Sequence, residues 1–211
     1  MNVNFAKISL AASTPLVVIA AQGSALSPSA KRIDTATKGA LAKAIANSKF
    51  DGKTGQVLTV MAPAGAAASR IVVIGVGDIK KVDALAAAKL GGRVVAQLAM
   101  SGQSKVAIAA DLPAGSKLDA AMAAAQIGYG ARLRSYRFDK YRTTQKKDEK
   151  PSLTRLTVMC ADPTKARAAH KPLAALADGV FLTRDLVSEP ANILHPISYA
   201  KEIRKLTKDG L

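Results

Sequence analysis

Leu16 to Ala21, LVVIAA, is an unbroken apolar run rich in β-branched residues. A run of that kind fits a strand buried inside a sheet. Ile71 to Ile74 (IVVI) is a second such run, and Val57 to Met61 (VLTVM) precedes it. Pro63 and Gly65 mark a loop between these two, so they can pair as neighbours. Lys105 to Ala110 (KVAIAA) and Leu153 to Cys160 (LTRLTVMC) read as further strands. Val3 to Leu10 (VNFAKISL) alternates apolar and polar residues, the pattern of a half-buried strand. Ile8 to Ala21 has some look of a signal-peptide core, but Pro15 splits it and Lys7 is a thin charged region. Two short strands joined by a turn is the preferred reading.

Helices are expected between the strands. Ser27-Pro28 supplies an N-cap followed by proline at the first helical position, predicting a helix to about Asn47. Its buried candidates are Ile33, Leu41 and Ile45, and Gly52 and Gly55 break the pattern. Val82 to Met100 predicts a helix interrupted by Gly91-Gly92, with the glycines allowing close packing. Leu118 to Tyr141 is the longest helical pattern, with Leu118, Met122, Ala125, Tyr129, Leu133 and Tyr136 on one stripe. Asp162-Pro163 starts another helix, Pro172 is expected to kink or restart it, and Glu189-Pro190 ends it. His195-Pro196 opens a last short helix to about Lys208. The fold class is therefore α/β: a mixed sheet of about six strands flanked by helices, followed by a long linker helix. The expected division is a domain over 1–160, a linker helix over 161–189 and a further segment over 190–211.

Of the 211 residues, 49% are hydrophobic and 4% aromatic, so the core is expected to be Val, Ile, Leu and close-packed Ala. The single cysteine excludes an intramolecular disulfide. No apolar run approaches the roughly 20 residues of a membrane span. The net charge is +16, which favours polyanionic partners, and the densest basic stretch is Arg132 to Lys150. There Arg132, Arg134, Arg137, Lys140 and Arg142 interleave with Tyr136, Phe138 and Tyr141, an arrangement suited to phosphates and stacked bases. A helix that buries its aromatics and solvates its arginines has the same sequence, and that reading is preferred.

Candidates for chemistry are few. Gly75-Val76-Gly77-Asp78 follows IVVI, where a phosphate-holding loop would lie, but Lys80 replaces the third glycine of a dinucleotide fingerprint. A tight turn is the preferred reading of it. Only three glutamates occur, the acids are scattered, and His170 and His195 have no ligand-spaced partner. Both histidines are read as surface or capping residues and Cys160 as a core thiol. No catalytic or metal-binding residue is assigned. Thr183 to Pro196, TRDLVSEPANILHP, reads as a rigid joint between two folded bodies.

Arg184 to Asn192 resembles the Arg-Asp-Leu-Val-Asn-Glu-Pro-Ala-Asn segment of the cytosol (leucyl) aminopeptidase family, with Ser188 in place of the usual asparagine. Ser135 to Tyr141, SYRFDKY, resembles that family's Tyr-Arg-Phe-Asp-x-Tyr segment. The resemblance covers the whole chain and implies a macro-domain-like, non-catalytic N-terminal domain over 1–160 and the start of a catalytic domain over 190–211. For the full-length protein it implies a cytoplasmic metallo-aminopeptidase that releases N-terminal residues, leucine preferred, from peptides. It further implies two divalent metals, Mn or Zn, and a homohexamer, with no membrane partner. The family's metal ligands and catalytic residues match no position here, so this chain is expected to hold no catalytic metal and to be inactive by itself. The alternative is a nucleic-acid-binding module acting on DNA through Arg132, Arg134, Arg137, Lys140 and Arg142. A third reading is binding of a small ligand such as ADP-ribose at Gly75–Gly77.

Overall fold

The structure, a computed structural model, describes residues 1–11 and 13–210. Ala12, in the first turn, and Leu211, the end of the third expected segment, lie outside the described residues. The strands are β1 (Asn2–Lys7), β2 (Leu16–Ala21), β3 (Ala25–Leu26), β4 (Val57–Met61), β5 (Arg70–Gly75), β6 (Lys105–Ala109) and β7 (Arg155–Cys160). The helices are α1 (Pro28–Ala36), α2 (Ala40–Ala46), α3 (Ala84–Leu98), α4 (Ala120–Arg134), α5 (Pro163–Ser188) and α6 (Pro196–Lys205).

The sheet runs β1-β7-β6-β2-β5-β4, with β3 paired antiparallel to β2. LVVIAA stands at its centre, parallel to β5 on one side and β6 on the other. All six of its residues are buried, as expected of a parallel strand covered on both faces. Only β4 and the short β3 run antiparallel. β1 is an edge strand beside β7, about 150 positions later in the chain, and it keeps the alternating burial of an edge.

Alternation along β2 divides the core into two layers. Val17 and Ile19 join Val72, Ile74, Ile108, Leu156 and Val158 under α3 and α4. Leu16 and Val18 join Ile71, Val73, Ile33 and Leu41 under α1 and α2. Ser27 caps α1 as expected, its Oγ accepting from Ala30 N at 3.3 Å.

Four helical expectations are corrected. The helix expected over 28–47 is two, because Lys38 (φ 53°) and Gly39 (φ 83°) take left-handed backbone between them. Gly91-Gly92 does not interrupt α3. The helix remains continuous, and the absent side chain of Gly91 lets the Ile127 carbonyl of α4 approach it. α4 ends at Arg134, not Tyr141, and its buried side is the small-residue side: Ala121, Ala124, Ala125, Ile127, Gly128 and Ala131. Met122 of the expected stripe is 38% exposed. The close crossing with α3, possible only where side chains are absent, chose which face went inward. Finally, α5 runs through Pro172 as one helix, so the proline does not restart it. Buried Ala166 and His170 before the proline and Ala177 after it hold both halves against the body. That packing outweighs the ~3 kcal/mol such a proline costs.

Candidate functional site

The basic stretch and the Thr183–Pro196 joint meet in space. After Ser135 the chain leaves the helical path and lies along the end of α5. Tyr136 Oη donates to Asp185 Oδ1 at 2.8 Å, and Lys140 Nζ donates to Glu189 Oε1 at 2.7 Å. Tyr141 Oη donates to the other oxygen of Glu189. The Arg184 guanidinium stacks 3.9 Å above the Tyr136 ring. Tyr136 also packs on Phe181, and Arg132 lies over Phe181 while pairing with Asp178. The two segments that carried the family resemblance thus form one clasp across nearly 50 residues of chain.

The electrostatics follow from these pairings. Hydrogen bonds from Lys140 and then Tyr141 hold the Glu189 carboxyl below the usual carboxylate range. The Glu189 side chain is only 12% exposed, so it has little solvent to substitute for these donors. Lys140 is raised in turn by Glu189, and Tyr141 by its bond to Glu189. Tyr136 is raised first by desolvation and second by Asp185.

The five residues proposed for nucleic-acid contact do not share one role. Arg132 and Lys140 are committed to Asp178 and Glu189 of α5 and its cap. Arg137 lies 3.6 Å from Asp139 and reaches Gln145. Arg134 points into a separate cleft, and Arg142 is exposed. Tyr136 and Phe181 were expected nowhere together, because nothing local in the sequence pairs positions so far apart.

The cleft lies at the carboxyl end of β5, beside α3, with a volume of about 970 Å³. Gly75, Val76 and Gly77 line it, but their N–H groups are already used. Gly75 N donates to Gln56 O, Val76 N to Ala20 O and Gly77 N to Gly52 O, each at 2.9 Å. A Cβ at Gly75 would lie 2.2 Å from Lys53 O. The glycines therefore bring three backbone segments together. The reading of this loop as a row of exposed amides for phosphate is corrected, and the tight turn holds. The cations of the cleft are side chains: Lys53, Lys81, Lys89, Arg93 and Arg134. Lys89 and Arg93 were missed in the sequence, although their spacing of four on the face of α3 opposite its apolar stripe was a usable signal.

His170 is not a surface residue. It is 8% exposed, its ring centroid is 5.0 Å from that of Phe5, and its Nδ1 lies 3.1 Å from Ala125 O. Burial pushes its pKa down. His195 caps α6, with its N–H donating to Ser198 Oγ at 2.9 Å. Cys160 is buried at the end of β7, and burial raises its thiol. Among the described residues no three His, Cys, Asp or Glu side chains come together as a metal site. A dinuclear centre needs several converging carboxylates, so the residues present do not fit one. Among the described residues no helix is long and apolar enough to cross a membrane.

The profile of the cytosol aminopeptidase family, N-terminal domain, matches residues 17–145. The probable cytosol aminopeptidase of Caulobacter vibrioides is 44% identical over 95% of this chain and 39% of its own length. That of Rhodopseudomonas palustris is 37% identical over the whole chain and 42% of its own length. The chain thus spans about two fifths of these relatives. Among solved structures, a mutant of tomato leucine aminopeptidase shares the fold at a TM-score of 0.82 and 23% identity, over 99% of this chain and 42% of that one. The bottromycin maturation enzyme BotP shares it at 0.69 and 24% identity, over 94% of this chain and 38% of its own. By profile and by sequence identity, this chain belongs to the cytosol aminopeptidase family and carries that family's N-terminal domain.

Proposed function

We propose that this chain is the non-catalytic domain of a leucine-type metallo-aminopeptidase, serving assembly, access to the active site or regulation, and inactive by itself. The clasp is the observation that carries this reading. It ties the end of α5 to the α/β body through Asp185 and Glu189 and so fixes the direction in which the chain leaves that body. A fixed exit direction suits a chain that continues into a further folded body.

In this reading residues 1–160 are the domain, 161–189 the linker helix and 190–211 the start of the catalytic domain. The surface changes accordingly after the clasp. No residue of α6 is buried, while Ile193, Ile197 and Ile203 are 46%, 67% and 48% exposed. Apolar side chains so placed suit a helix that packs against further polypeptide. Peptide hydrolysis, the two divalent metals (Mn or Zn) and a homohexamer belong to the full-length protein, which acts in the cytoplasm. A structure of BotP holds Mn, which agrees with a metal-dependent relative of this fold.

The test is hydrolysis of leucine amide with added Mn. The 211-residue chain is expected to show none, and the same chain joined to the remainder of its reading frame is expected to be active. Hydrolysis by the chain alone, or a reading frame without an acid-rich domain after residue 211, overturns the proposal.

A further inference from the structure

The cleft beside α3 takes no part in the clasp, and its five cations outnumber its two carboxylates, Asp78, which faces Lys81, and Asp83, which caps α3. Lys89 and Arg93 stand one turn apart on the exposed face of α3, and Arg134 joins them from the end of α4. Like charges four apart on a helix repel and weaken it. Among the described residues none of the three forms an ion pair. The guanidinium of Arg93 lies directly over Gly55, where a Cβ would come within 2.7 Å of Nη2. That glycine has φ +79°, so the room for the arginine is built into a turn that favours glycine. Buried Ile74 and Leu90 form part of the wall, giving the cleft an apolar side as well as a basic one.

From this arrangement we propose that the cleft binds a small organic anion carrying at least two phosphate-type charges on an apolar or aromatic body. Arginine forks bind phosphate oxygens in pairs. The volume of about 970 Å³ suits a ligand of nucleotide size. The backbone amides of Gly75–Gly77 being taken, recognition falls to the side chains of Lys89, Arg93 and Arg134. Convergence in a concavity favours a compact ligand over a nucleic-acid strand, whose phosphates need cations along a track.

Isothermal titration of the 211-residue chain with ATP, inorganic pyrophosphate and adenosine tests this, and reads binding independently of any peptidase activity. ATP is expected to bind saturably, pyrophosphate more weakly and adenosine not measurably. Arg93→Gln with Arg134→Gln is expected to weaken ATP by at least ~10-fold, the loss of a charge-assisted hydrogen bond. Lys146→Gln, in the charged loop outside the cleft, is expected to leave it unchanged. All these positions are exposed, and circular dichroism checks the fold. Should the double variant melt early, Lys89→Gln gives the same readout. Absence of saturable heat with ATP and pyrophosphate at millimolar concentration overturns the proposal. So does equal affinity in parent and variants, or binding of a single-stranded oligonucleotide that depends on Arg93 and Arg134 while ATP does not bind.

Discussion

Gly91→Ala and Gly179→Ala are the same substitution in two helices, and the structure gives them opposite signs. In open helix, alanine is favoured over glycine by ~1 kcal/mol. At Gly179 of α5 nothing lies within 4 Å of the added Cβ, so that gain stands. At Gly91 of α3 the new Cβ would sit 1.9 Å from the carbonyl oxygen of Ile127 in α4. Ordinary contact begins at 3.4 Å. The obstacle is backbone, so no rotamer change relieves it, and the two helices must separate. The reciprocal crowding at Gly130, whose Cβ would lie 1.8 Å from Ala88 O, blocks a simple slide. Overpacking of this sort costs up to ~3 kcal/mol, which leaves a net loss of ~2 kcal/mol after the propensity gain. For a chain of this length that lowers the melting temperature by ~4–8 °C, whereas Gly179→Ala raises it by ~2–4 °C. Thermal melts followed by circular dichroism, with urea titrations for the free energies, measure both. A Gly91→Ala protein that melts at or above the parent would refute the close crossing, as would a Gly179→Ala protein destabilised as much as Gly91→Ala.

Two pH-linked predictions follow from the clasp and the core. Glu189 has its folded-state pKa depressed, so as pH falls the unfolded chain takes up its proton first. The stabilisation is therefore complete above the ordinary value of 4.5 and is lost as pH drops through the folded-state value below it. Cleavage at Leu194 and Tyr199, by pepsin in acid and by chymotrypsin at neutral pH, each rate taken relative to an unfolded substrate, should quicken below 4.5 in the parent. In Glu189→Gln it should already be fast at neutral pH, and an unchanged neutral rate would show that the clasp does not hold this segment. His170 is also depressed, here by burial of its ring, from an ordinary value of 6.5. It stays neutral in the fold while the unfolded chain binds a proton, so its contribution is full above 6.5 and declines as pH falls below it. An NMR titration placing the His170 midpoint at or above 6.5 would contradict its burial against Phe5 and Ala125.

Most strands and helix starts were legible in the sequence, though not every helix boundary. LVVIAA and IVVI read as interior strands, and Ser27-Pro28 and Asp162-Pro163 as helix starts, because burial and capping act on residues a few positions apart. The sequence also carried the family, through Ser135–Tyr141 and Arg184–Asn192. Tertiary structure alone decided which side of α4 faces inward, whether Pro172 breaks α5, and that β1 lies beside β7. It alone placed Tyr136 on Asp185, Lys140 on Glu189 and Arg93 beside Arg134. Helical periodicity predicts a stripe but not its partner. The stripe of large residues on α4 lost to the small-residue face because two helices could approach only where Gly91 and Gly130 have no side chain. Contacts between positions tens of residues apart are set by how whole elements pack, and no local pattern encodes that.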